Sequence, residues 1–261
     1  MARREFSFSP ITDFLAFIGQ LASLFWECLG FIFRGAVSYR HTMQQMAEAG
    51  VGSLLVAMIT VGFSGAVAGL YLGAQLVKYG QQGFAGGFVG KSLALEIAPV
   101  ITAIVFSARS GSAMAAELGS MQVTEQVDAL RSMGVSPTRY LVVPRVLATV
   151  IMLPLITVLA NAAGVLGGAI AVAGSGISSS VYWTSFKAFT TVEDQTQGLL
   201  KTIPFAILIV LISCCQGLNT QGGARGVGKA TTSAVVFAII AVYIADYFLS
   251  VVLQDALLWR S

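Results

Sequence analysis

Four ionisable residues stand inside or at the edges of long apolar stretches in this chain: Glu96, Arg109, Glu117 and Asp246. A charge at membrane depth is costly and usually faces a cavity or another charge. For Glu96 and Asp246 this points to a polar cavity that receives a solute or carries a proton. The plainer alternatives are an internal ion pair, or an interfacial position for Glu96 and Glu117. No nucleophile, acid–base pair or metal cluster suggests catalysis or a metal. The lone His41 sits in a polar connector, and Cys28, Cys214 and Cys215 stand in apolar surroundings without His or acidic partners. They read as buried, inert thiols.

The segment Gly223-Ala-Arg-Gly-Val-Gly228-Lys229-Ala230 is nearly a phosphate-binding P-loop. It departs from that motif twice. Ala230 stands where Ser or Thr would bind magnesium, and a membrane span rather than a strand precedes it. The sequence therefore predicts no ATP site in this chain. A tight turn before the last span is expected instead, with Arg225 and Lys229 free to meet head groups or a partner.

The elements that must position the acids follow from composition. Of 261 residues, 56% are hydrophobic and 10% charged. Soluble domains carry roughly 25% charge. Hydrocarbon penalises charge, so a lipid-facing surface accounts for the deficit. The 28 glycines agree with membrane helices. The net charge of +3 gives no reason to expect nucleic acid. The start of the chain shows no cleavable signal peptide pattern.

A spanning helix needs about 20 largely apolar residues. Five such spans are expected: Ala49 to Val77; the apolar run Ile97 to Ala108 extended through Glu96 or toward Glu117; about 28 residues from Val146; Thr202 to Ala224; and Ala230 to Leu253. Gly80 to Gly90 reads as a short glycine-rich loop and Ser175 to Ser180 as a polar one. At the N-terminus, Ser9-Pro10 reads as a helix start. Asp13, Gln20, Glu27 and Arg34 then recur every seven residues and form one polar stripe. Such a helix can lie in the membrane interface. The alternative is a sixth crossing whose stripe faces the bundle.

Lys and Arg set the orientation. With five spans and a cytoplasmic N-terminus, ten basic residues fall inside and five outside, among them Lys78, Lys91, Lys187 and Lys201.

Two kinds of helix surface stand out. Gly65, Gly69 and Gly73 recur every four residues, as do Gly164 and Gly168. Such ridges let helices approach closely, at a subunit or lipid-path interface or within the bundle. Between the second and third spans, residues 121–134 read as a short amphipathic helix. Val123, Val127 and Leu130 fall on one face and Glu125, Asp128 and Arg131 on another. Gly134 stops the helix and Ser136-Pro137 opens the next. A soluble partner can grip such a helix in a groove. A solvated connector is the bland alternative.

The runs Ala108-Arg109-Ser110-Gly111-Ser112-Ala113, Ala116-Glu117-Leu118-Gly119-Ser120-Met121, Thr124-Glu125-Gln126-Val127-Asp128-Ala129-Leu130 and Tyr140-Leu141-Val142-Val143-Pro144-Arg145 resemble the MlaE/YrbE permease family. Glu96-Ile97-Ala98-Pro99-Val100 and the run from Gly226 to Val236, followed by Asp246, match in the same order. The resemblance covers about residues 45 to 255.

The resemblance implies an all-α integral membrane protein: an N-terminal interfacial helix in residues 1–45 and a permease domain of five transmembrane helices in 46–261. It implies a homodimer resting on separate cytoplasmic ABC ATPase subunits, which hold the ATP and magnesium. An Mce-domain (MlaD-like) protein would exchange lipid with the dimer on the outer side. The setting would be a bacterial inner membrane or, less closely, the chloroplast inner envelope. The family's coupling helix matches 121–134, with Glu125, Gln126, Asp128, Leu130 and Arg131 as docking residues. Its charged cavity residues match Glu96 and Asp246. Lys91 is near Glu96 but not adjacent, so a basic partner for that acid is unassigned.

The expected lipid cavity adds Leu70, Leu72, Leu76 and Val77 beside the Gly65-Gly69-Gly73 ridge. The function expected is that of a permease subunit in an ATP-driven lipid transporter, phospholipid before other hydrophobic cargo. Two alternatives remain: a proton-coupled carrier using Glu96 and Asp246, or a membrane scaffold.

Overall fold

A computed structural model describes the backbone of residues 10–35 and 38–258, and the side chains of Thr12 and of residues 15–35 and 38–253. Ser9, Arg3, Arg4 and Arg260 lie outside the described residues. No strand occurs among those described. The helices are α1 Pro10–Phe33, α2 Tyr39–Met46, α3 Gly52–Lys78, α4 Ala85–Ser92, α5 Ala98–Phe106, α6 Ser112–Val123, α7 Gln126–Ser132, α8 Val143–Gly174, α9 Ser179–Phe189, α10 Val192–Leu218 and α11 Gly223–Leu258. Among the described residues, six helical runs are long and apolar enough to cross a membrane. The protein is an all-α, multi-pass membrane protein.

Several helices join end to end through single wide turns with π geometry. Ala47–Val51 joins α2 to α3, Leu93–Ile97 joins α4 to α5, Ser107–Gly111 joins α5 to α6, and Thr138–Val142 leads into α8. Such a turn interrupts the regular carbonyl ladder, and a freed carbonyl in an apolar setting needs another donor. Side chains act as donors in all four. Ser110 Oγ donates to Ala49 O (3.0 Å), Lys201 Nζ to Leu95 O (3.2 Å) and Arg145 Nη1 to Leu141 O (2.6 Å). Ser112 Oγ, at the start of α6, donates back to Arg109 O (2.9 Å).

The glycine ridge of α3 packs inside the bundle. Gly65, Gly69 and Gly73 are buried, and a Cβ on Gly65 would strike the carbonyl of Gly164 on α8. Gly69 meets Gly168, and Gly73 meets Ser175. Of the two readings of this ridge, contact within one chain is the one observed. Backbone lies against backbone here, so an added side chain has nothing flexible to displace. Gly65→Leu is expected to cost about 3 kcal/mol, seen as a lower thermal-unfolding midpoint. Leu70→Ala on the exposed side of the same helix should leave the midpoint close to unchanged.

Three boundaries differ from expectation. The stretch Gly80 to Gly90 is not a loop throughout: Gly80 turns the chain at φ 69°, and α4 then begins at Ala85. Gly86 and Gly90 are small because α9 lies against them, with Tyr182 and Phe186 filling the space where a Cβ would stand. The amphipathic segment is shorter than residues 121–134. Met121 to Val123 finish α6, Glu125 breaks the helix at φ 62°, and α7 spans Gln126–Ser132 before Gly134 at φ 75°. The fourth span begins at Val192, ten residues before Thr202, and ends at Leu218.

The turn before α11 falls at Thr220 to Gly222, and the near-P-loop residues Gly223 to Ala230 form its first helical turns. In α1, Gln20 Oε1 accepts from Asn219 at the end of α10, while Glu27 accepts from Ser136 and Thr138 before α8. Both anchors lie at the end of the bundle that carries α7.

Candidate functional site

The early start of α10 places the central residue of the site. Thr191 and Asp194 form a reciprocal capping box: Asp194 N donates to Thr191 Oγ1 (3.2 Å) and Thr191 N to Asp194 Oδ2 (3.0 Å). From that cap, Lys201 lies roughly 14 Å into the helix, not in the outer loop where the sequence reading puts it. It is 1% exposed.

Lys201 is the basic partner left unassigned above. Its Nζ donates to Glu96 Oε1 (2.7 Å), to Asp246 Oδ1 (3.1 Å) and to Ser250 Oγ (2.7 Å), besides the Leu95 carbonyl. Ser250 Oγ lies 3.1 Å from Glu96 Oε1. One ammonium therefore joins the wide turn between α4 and α5, the middle of α10 and the far half of α11. A buried charge needs this degree of pairing. The two acids meet at this one ammonium, and Glu96 lies inside the helical run Gln82–Val123 rather than at the start of a span. Lys91, the other candidate, pairs instead with Asp194 (3.3 Å).

The remaining ionisable groups divide. Glu117 pairs with the buried Arg145 (2.7 Å), an internal ion pair that ties α6 to α8. Arg109 lies across Gly52 and lines a cavity of about 220 Å³ with Gln45, Glu48 and Glu117. His41 stacks edge-on against Tyr140. The three cysteines are buried free thiols.

The apolar residues of α3 separate into two faces. Leu70 is 53% and Val77 37% exposed, one heptad apart on the outer face. Leu72 and Leu76 turn toward the ridge side and pack against the core. A helix advances 100° per residue, so the four cannot form one wall. Leu70 and Val77 are the exposed pair. On α11, Ile240, Ile244 and Tyr247 are exposed as well.

In α7, Val127 is fully buried and Leu130 partly so. Glu125, Gln126, Asp128 and Arg131 are exposed, with Arg131 bonded to Asp128 (2.9 Å). The apolar face fixes α7 to the bundle and leaves its charged face open.

The family described as Permease MlaE matches residues 42–252. The chain belongs to the MlaE permease family. This MlaE permease is 41% identical over 220 residues to a probable ABC transporter permease protein of Synechocystis, covering 84% of each chain. It is 38% identical over 220 residues to the chloroplastic protein TRIGALACTOSYLDIACYLGLYCEROL 1 of Arabidopsis thaliana, 84% of this chain and 63% of that one. It is 31% identical over 259 residues to the intermembrane phospholipid transport system permease protein MlaE of Haemophilus influenzae, 94% of this chain and 99% of that one.

Proposed function

We propose that this MlaE permease is the transmembrane subunit of an ATP-driven phospholipid transporter. The observation that carries this reading is the end-to-end match to a phospholipid-transport permease. The buried cluster at Lys201 supports it by supplying a polar site beside exposed apolar surface. Two copies would enclose an outward-facing cavity. Leu70 and Val77 would line it, with Glu96 near the head group and Asp246 supporting Glu96 through Lys201. The N-terminus and α7 would face the cytoplasm of a bacterium, where α7 would dock in a separate ABC ATPase. An Mce-domain partner would meet the opposite end. The anchoring of Gln20 and Glu27 at the α7 end supports an interfacial course for α1.

Photo-crosslinkers at Leu70 and Val77 are expected to capture lipid in an active complex, and one at Gln126 the ATPase. If the α3 positions capture no lipid, this path is wrong even though the family membership stands. A second reading, proton-coupled transport, draws on the presence of two carboxylates beside one ammonium. Lipid movement that persists without any ATPase would favour it.

A further inference from the structure

We infer that the cluster at Lys201 selects lipids whose head group carries a hydrogen-bond-donating cation, a primary ammonium above all. The inference rests on the lipid path proposed above.

An ammonium has three N–H donors and no acceptor. Lys201 already meets four acceptors at 3.2 Å or less: Glu96, Asp246, Ser250 and the Leu95 carbonyl. Its side chain is fully buried. Nothing of this lysine remains for an incoming phosphate. The acids are in the opposite condition. The Glu96 side chain is 47% exposed and that of Asp246 17%. The ammonium engages Oε1 of one and Oδ1 of the other, so each carboxylate keeps an oxygen that Lys201 does not reach. Counted formally, two carboxylates against one ammonium leave one negative charge.

The face offered to a ligand is therefore an acceptor with negative charge. A primary ammonium complements both properties. A choline group matches the charge but has no N–H. A glycerol head group donates O–H but carries no cation to offset the phosphodiester charge that all three lipids share. Hydrogen bonds between ionised groups are the strong ones, and they become stronger away from bulk water.

The test uses the assembled complex in nanodiscs of phosphatidylethanolamine, phosphatidylcholine and phosphatidylglycerol at equal mole fractions, with identical acyl chains. A photo-crosslinker at Tyr247, exposed next to Asp246, captures the bound lipid, which mass spectrometry identifies. Phosphatidylethanolamine should exceed phosphatidylcholine by about tenfold, the scale of one charge-assisted hydrogen bond. Phosphatidylglycerol should be captured least. Glu96→Gln removes the excess charge and should bring the first two lipids near parity. The wild-type competition decides the matter even if that variant does not assemble. Equal capture of all three lipids, or an excess of phosphatidylglycerol, overturns the head-group inference and leaves the lipid path standing. Capture of no lipid overturns both.

Discussion

Lys201→Met is expected to destabilise the folded protein by about 3 kcal/mol, the scale for removing one partner from a buried ion pair. The methionine fills much of the same space, so the effect is electrical rather than steric. Glu96 and Asp246 would be left facing each other without a counter-charge, and the Leu95 carbonyl would lose its donor. Adding Glu96→Gln and Asp246→Asn to Lys201→Met should recover most of the loss, because no uncompensated charge then remains. Thermal unfolding in detergent measures both variants. A single variant as stable as the parent, or a triple variant no better than the single, would show that the cluster is not held together by charge.

The second large effect concerns α7. Reversing Glu125 and Asp128 to Lys together is expected to abolish co-purification of the ATPase while the permease still inserts and folds. Both side chains are exposed, whereas Val127 beneath them anchors the helix and is untouched by the change. Reversal turns an acidic edge into a basic one, and like charges facing across an interface cost several kcal/mol. Affinity purification reads the complex, and lipid-stimulated ATP hydrolysis reads its function. Unchanged yield and unchanged hydrolysis would remove α7 from the coupling role.

Much of this arrangement was legible in the sequence. The apolar runs located the helices, and the cost of a charge in hydrocarbon singled out Glu96 and Asp246. Lys201 was missed because hydropathy places a span's edge at its last charge, which is correct only when that charge is unpaired. The opposing signal was local: Thr191-Val-Glu-Asp194 is a capping-box pattern that starts the helix ten residues earlier. The glycines from Gly80 to Gly90 misled for a related reason. Glycine marks both turns and tight helix contacts, and α9, which makes the contact, lies about a hundred residues away. Leu72 and Leu76 were grouped with Leu70 and Val77 by proximity along the chain, where angular position on the helix decides which face each occupies.

The wide turn at Leu93–Ile97 has a consequence for how this long helix divides its loyalties. One extra residue in a turn rotates everything beyond it by about 100° relative to an unbroken helix. Before the turn, Gly86 and Gly90 face α9 and Lys91 reaches Asp194. Within it, Glu96 points at Lys201. Straightened into a uniform spiral, the same residues could keep one of these alignments but not both. The turn acts as a swivel coupling fixed at a chosen angle, and the ammonium that caps its Leu95 carbonyl holds the setting.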